Sequence, residues 1–179
     1  MNDLFFDLET QKSIQEVGGR ENIRLLRMSV AVTFSTTAND FKSYTEKDVP
    51  ALIADLQSAD RVIGFNLRQF DYPVLKFYTQ ERLSDLPTLD LLEEIYNKLG
   101  FRLGLDALAA ATLGPAARKS ADGLAAIRWF REGKIDQLIA YCRDDVAITK
   151  QLFEAGRDQG FVQYVDRDGR LKKIAVGWK

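Results

Sequence analysis

The chain has 179 residues, a formal net charge of −1, and 46% hydrophobic and 28% charged residues, which suits one globular domain with a proper core. No run reaches the roughly 18–20 apolar residues of a membrane span, and the first residues lack the basic region and cleavage site of a signal peptide, so a cytoplasmic protein without a membrane partner is expected. Histidine is absent and Cys142 is the single cysteine, which excludes Ser-His-Asp and Cys-His nucleophiles, imidazole ligands, an intrachain disulfide and multi-cysteine zinc sites.

Leu4–Leu8 is a short apolar run bounded by polar residues and predicts a buried central strand. "QKSIQEVGG" predicts a loop punctuated by Gly18 and Gly19. "IRLLRMSVAVTF" predicts a second strand and "DFKSYT" a third, in a hairpin that turns near "STTAND". Val49, Leu52, Ile53 and Leu56 have helical spacing, with Pro50 tolerated in the first turn. "RVIGFN" predicts a short buried strand, and "FDYPVLKFYT" the start of a helix.

"LPTLDLLEEIYNKLG" predicts a short strand or turn and then a helix ending at Gly100. "LGLDALAAATLG" and "DGLAAIRWFREGK" predict two more helices. The longest periodic segment, "IDQLIAYCRDDVAITKQLFEAGRDQ", has an apolar face from Leu138 through Cys142 and Val146 to Phe153. The tail predicts two strands joined by a turn at Asp166–Gly169. Three strands followed by helices alternating with short strands predict an α/β fold, a mixed sheet flanked by helices. The expected division is a main domain over 1–160 and a C-terminal β-hairpin extension over 161–179.

The acidic residues in apolar surroundings are the informative ones. Asp7 and Glu9 stand at i and i+2 of the first strand and therefore face the same way. Two like charges on a core element repel, and burial makes the charged forms costlier, so a positive partner is expected between them. A polar strand end is the plainer reading, and the apolar flanks disfavour it. Asp71 follows a buried strand near a helix start, where a helix cap competes with a ligand role. Tyr141 and Asp145 stand one turn apart on one helix face. Asp144 reads as solvated, and Cys142, Trp129 and Phe130 read as core. Without histidine, a carboxylate-rich site suits hard cations such as Mg²⁺ or Mn²⁺.

"FDLET", "GFNLRQFD" and "YCRDD" resemble, in that order, the three motifs of the DEDD superfamily of 3′–5′ exonucleases. Tyr141 and Asp145 match the Tyr-x-x-x-Asp of the DEDDy branch, and the absence of histidine excludes the DEDDh form. The resemblance spans residues 4–156 and implies a ribonuclease H-like fold. It implies two divalent cations, Mg²⁺ or Mn²⁺, with Asp7 bridging both, Glu9 and Asp145 completing one and Asp71 the other. Tyr141 and Glu9 would orient the attacking water. Thr10 would touch the terminal nucleotide, as in relatives. Asn66 and Phe70 fit the second motif and are either structural or approach substrate; Arg118 and Lys119 either meet phosphate or are solvated.

The activity implied is removal of nucleoside 5′-monophosphates from the 3′ end of single-stranded DNA or RNA. Any polymerase or helicase partner would be a separate chain. A non-catalytic nucleic-acid or protein-binding module of the same fold, and a ribonuclease H-like endonuclease, are the alternatives.

Overall fold

The computed structural model describes residues 1–117 and 123–179. Strands β1 (Asp3–Thr10), β2 (Met28–Ser35), β3 (Asp40–Thr45), β4 (Arg61–Gly64) and β5 (Thr88–Asp90) form one sheet in the order β3-β2-β1-β4-β5. β1 and β3 each run antiparallel to β2, whereas β4 is parallel to β1 and β5 parallel to β4. The central β1 carries the apolar run Leu4, Phe5, Phe6 and Leu8 because both of its faces are covered.

Alternation along the strands divides the core in two. Leu4, Phe6 and Leu8 point toward helices α1 (Val49–Ser58) and α2 (Tyr72–Leu75). Phe5 points the other way and joins Val30, Val32 and Phe34 in a second cluster with residues of helices α3 (Leu91–Leu99), α4 (Leu105–Leu113), α5 (Gly123–Arg131) and α6 (Ile135–Gln159). The expected mixed sheet flanked by helices is the fold observed. Among the described residues, no helix is long and apolar enough to cross a membrane.

Two expectations change. The strand expected from Ile23 begins only at Met28, because Arg20–Leu26 forms 3-10 turns that tuck Leu26 under the sheet. Arg27, at φ 56°, makes the corner, and its guanidinium is held by Glu46. An apolar run of that length suits a strand or a packed helical turn equally well. The helix expected from Phe70 is instead a π-helical turn, Leu67–Asp71, followed by the single turn of α2.

The C-terminal hairpin, β6 (Phe161–Val165) and β7 (Leu171–Ala175), turns where expected. Its inward residues Val162 and Ile174, with Val176 and Trp178, join the core beside α6. Gln163 donates its N–H to Thr112 Oγ1 at 2.9 Å, tying β6 to α4.

Candidate active site

β1 leaves its sheet partners in steps. β4 pairs with it only as far as Phe5↔Ile63, while β2 continues through Asp7↔Val32 and Glu9↔Val30. Asp7 and Glu9 therefore follow Phe5 on the α6 side, where the apolar layer ends. The Leu8 N–H, beyond the end of β4, donates to Asp71 Oδ1 at 3.2 Å.

That carboxylate is delivered by a tight connection. A Cβ on Gly64 would lie 2.7 Å from the Phe6 carbonyl oxygen, so only glycine lets the chain pass β1 so closely. Asn66 then adopts φ 75°, a left-handed conformation in which Asn is one of the more tolerated residues. The buried Asp90 holds this bend: its oxygens accept from the N–H groups of Asn66 at 2.8 Å, Arg68 at 3.0 Å, Leu92 at 3.1 Å and Glu93 at 3.3 Å. Asp90 thus caps α3 and fixes the π-helical turn at once. Sequence reasoning missed it, although its place just before a helical apolar pattern was the available signal.

α6 supplies the opposite wall. Tyr141, Cys142 and Asp145 are buried on the face toward β1, whereas Asp144 is exposed. Trp129 of α5 packs edge-on against the Tyr141 ring, with centroids 5.7 Å apart. Cys142 belongs to the core as expected, but it also reaches the site. Its Sγ lies 3.4 Å from the Asp7 carbonyl oxygen and 3.6 Å from Asp7 Oδ2. Burial, and then the charges of Asp7, Glu9 and Asp145, push the thiol well above its ordinary range, so it stays protonated and donates.

One carboxylate oxygen each from Asp7, Glu9 and Asp145 can be chosen so that all three lie within 4.8 Å of one another. Asp71 stands beside them. Burial first, then the charges of Asp7 and Asp90, push its carboxyl well above the usual range. Such a set is unfavourable without added positive charge. Its all-oxygen donors and its size fit a hard divalent cation, with Asp7, Glu9 and Asp145 as the closest-grouped ligands and Asp71 next to Asp7.

The family profile described as the RNase_H superfamily matches residues 4–156. The chain belongs to the RNase_H superfamily. Solved structures that match include E. coli Exonuclease I in complex with a 5cy-dT13 oligonucleotide and the zinc-ion-bound form of the E. coli ExoI–ssDNA complex. Each is 13% identical with a TM-score of 0.49; the alignments cover 88% of this chain and 40% and 41% of those chains. The chain thus spans about two fifths of the length of these structures. No curated protein matches it.

The other candidate residues of this RNase_H superfamily chain fall in different places. Asn66 borders the carboxylates: it lines, with Asp7, Phe65, Arg102 and Leu103, a cavity of about 350 Å³. Its Oδ1 accepts from Arg102 Nη2 at 2.7 Å, and Arg102 is a second residue that sequence reasoning missed. Thr10 is buried, and its hydroxyl donates to the Lys12 carbonyl oxygen at 2.9 Å. Phe70 packs half-buried against the α1 and α2 side of the core. Lys119, with Arg118, lies outside the described residues. Beyond Thr10, Glu16 ties the following loop to α5. Its carboxyl is held down at about 2 by the Ser13 N–H and by Arg131, whose Nη2 is 2.5 Å away.

Proposed function

We propose that this chain is a DEDDy-type 3′–5′ exonuclease that hydrolyses the terminal phosphodiester of single-stranded DNA or RNA with two divalent cations, Mg²⁺ or Mn²⁺. The observation that carries this reading is the convergence of Asp7, Glu9 and Asp145 within 4.8 Å, with Asp71 beside Asp7. Tyr141 one turn before Asp145 supplies the further residue that the branch requires.

In this reading Asp7, Glu9 and Asp145 would hold one cation, and Asp7 with Asp71 would hold the other. Bound there, the cations would lower the pKa of a water and stabilise the attacking and leaving oxygens of an in-line displacement. The protein's own groups then position the reactants. Tyr141, braced by Trp129, and Glu9 orient the water. Cys142, by donating to Asp7, fixes the orientation of that carboxylate. Arg102, beside Asn66 in the cavity next to Asp7, offers a cation to a substrate phosphate.

The test is a cleavage assay on 5′-labelled single-stranded DNA and RNA with Mg²⁺, Mn²⁺ or chelator, beside the Asp7→Ala variant. A metal-dependent ladder that shortens from the 3′ end, absent in the variant, is expected. Cuts in a circular substrate would replace this reading with an endonuclease. Retained binding without any cleavage would replace it with a non-catalytic module.

A further inference from the structure

Two surface segments near the carboxylate site face each other across one groove. The first is the turn after α3, where Phe101 is 44% exposed and Arg102 points outward. The second is the tip of the β6–β7 hairpin, with Tyr164, Val165 and Arg167. Together with Leu103 they border a cavity of about 650 Å³, larger than the one beside Asp7. The Phe101 and Tyr164 rings meet edge-on with centroids 6.0 Å apart, which leaves a face of Phe101 open. Val165, 54% exposed, adds apolar surface on the hairpin side of the same groove as Phe101.

Charge argues for the occupant. Asp166 is engaged within its own turn, accepting from the N–H groups of Asp168 and Arg170, and Lys172 stands 3.8 Å from it. Asp168 faces Arg170 at 4.0 Å. Arg167 is exposed and, among the described residues, takes part in no ion pair. Arg102 lines both this groove and the cavity beside Asp7, so the two are continuous through one cation. Asp166 and Asp168 line the groove as well, but each has a basic neighbour, so Arg102 and Arg167 beside one open aromatic face form a surface that can meet backbone phosphates and stack a base of a single strand.

We propose that this groove holds the single strand behind the end being cleaved, with Phe101 as a stacking platform and Arg102 and Arg167 on the backbone phosphates. The proposal rests on the 3′-end reading above for its direction: the terminal nucleotide sits at the carboxylates, and the rest of the strand passes Arg102 to the hairpin. It gives the C-terminal hairpin a role in substrate binding, and it makes affinity depend on strand length.

The test compares wild type, Phe101→Ala and Arg167→Ala on fluorescein-labelled dT15 and rU15 and on the dinucleotides dT2 and rU2. Binding is read by anisotropy in chelator, and cleavage separately with Mg²⁺ or Mn²⁺. Both residues are exposed, so melting temperatures should be unchanged. Phe101→Ala is expected to weaken dT15 or rU15 binding about tenfold, the loss of one stacked base, while dinucleotide cleavage keeps its rate. Arg167→Ala is expected to reduce the slope of log K against log salt by about 0.7, one single-strand phosphate contact. If both variants bind and trim the 15-mers as wild type does, the groove proposal is wrong and the exonuclease reading stands. If wild type binds the 15-mers through Phe101 but never cleaves, the exonuclease reading falls and the groove remains as a binding site. If wild type binds neither 15-mer, the groove proposal falls, and a protein partner becomes the occupant to seek.

Discussion

The main-chain N–H of Leu8 donates to Asp71 Oδ1 at 3.2 Å, so a carboxylate 63 residues away completes the backbone pairing of β1 where β4 ends. Asp71 is thereby both a structural acceptor and a charge beside Asp7. The two roles separate by substitution. Asp71→Asn keeps an oxygen acceptor and removes the charge; in chelator at pH 7 it should be at least as stable as wild type. Asp71→Ala also orphans the buried N–H and should lose about 1–3 kcal/mol. Both should lose cleavage. Urea unfolding in chelator, beside the nuclease assay, measures the split.

The same carboxyl sets a pH dependence. Burial and the neighbouring charges raise the folded-state pKa of Asp71 well above its ordinary value, so the folded protein binds more protons than the unfolded chain over the interval between the two. Stability of the metal-free protein should therefore fall as pH rises through that interval, starting near the ordinary carboxylate pKa. Divalent cations should reverse the fall, because they stabilise the ionised set. Thermal melts from pH 4 to pH 8, with chelator and with Mg²⁺, read this directly. A metal-free protein that gains stability up to pH 8, and an Asp71→Asn variant with the same profile, would contradict it.

Asp144 and Asp145 are adjacent on α6, yet only Asp145 is buried toward Asp7 and Glu9. Asp145→Ala should weaken Mn²⁺ binding and cleavage at least about a hundredfold, since ligand loss should exceed the loss of an outer-shell partner. Asp144→Ala should change both less than about twofold, as an exposed substitution does. Isothermal titration with Mn²⁺ and rates on one oligonucleotide suffice. Equal damage from the two would show that the helix presents its other face to the cation.

Tyr141→Phe removes one hydroxyl and leaves the ring against Trp129. Metal affinity should hold, and kcat should drop about tenfold to a hundredfold, the scale of a misplaced reactant, with KM nearly unchanged. A drop as large as that of Asp145→Ala would make the hydroxyl more than a positioning group. Intact activity would remove Tyr141 from the site.

How much of this was legible in the sequence depends on the range of the interaction. Asp7 and Glu9 are two apart on a strand, and Tyr141 and Asp145 four apart on a helix, so local periodicity alone puts each pair on one face. The long apolar face of α6 and the buried β1 are legible for the same reason. Arg20–Leu26 was not, because its apolar residues fit a strand and a packed 3-10 turn alike, and the choice is made by Leu26 tucking under the sheet. Asp90 and Arg102 were not, because their meaning lies in partners on other elements: the N–H groups of Asn66 and Arg68, and the side-chain oxygen of Asn66. Cys142 was legible as core but not as a neighbour of Asp7, which is 135 residues away.

The seating of the C-terminus on α6 can be tested at one atom. Gly156 lies inside α6, and a Cβ there would come within 2.4 Å of the Trp178 ring, which stacks on Phe153 at 6.2 Å between centroids. In an exposed helix interior, Gly→Ala stabilises by roughly 0.5–1 kcal/mol. Here the added methyl must displace the indole, so Gly156→Ala should destabilise despite the gain in helix propensity. Trp178→Ala should cost about 3–5 kcal/mol, the usual loss for a buried large aromatic. The double variant decides the cause. With the indole gone the methyl meets no ring, so Gly156→Ala in the Trp178→Ala background should turn neutral or stabilising. Urea unfolding of the four proteins completes the cycle. A Gly156→Ala penalty that persists without Trp178 would mean that the clash is with Val162, whose Cγ1 would lie 3.1 Å from the new methyl.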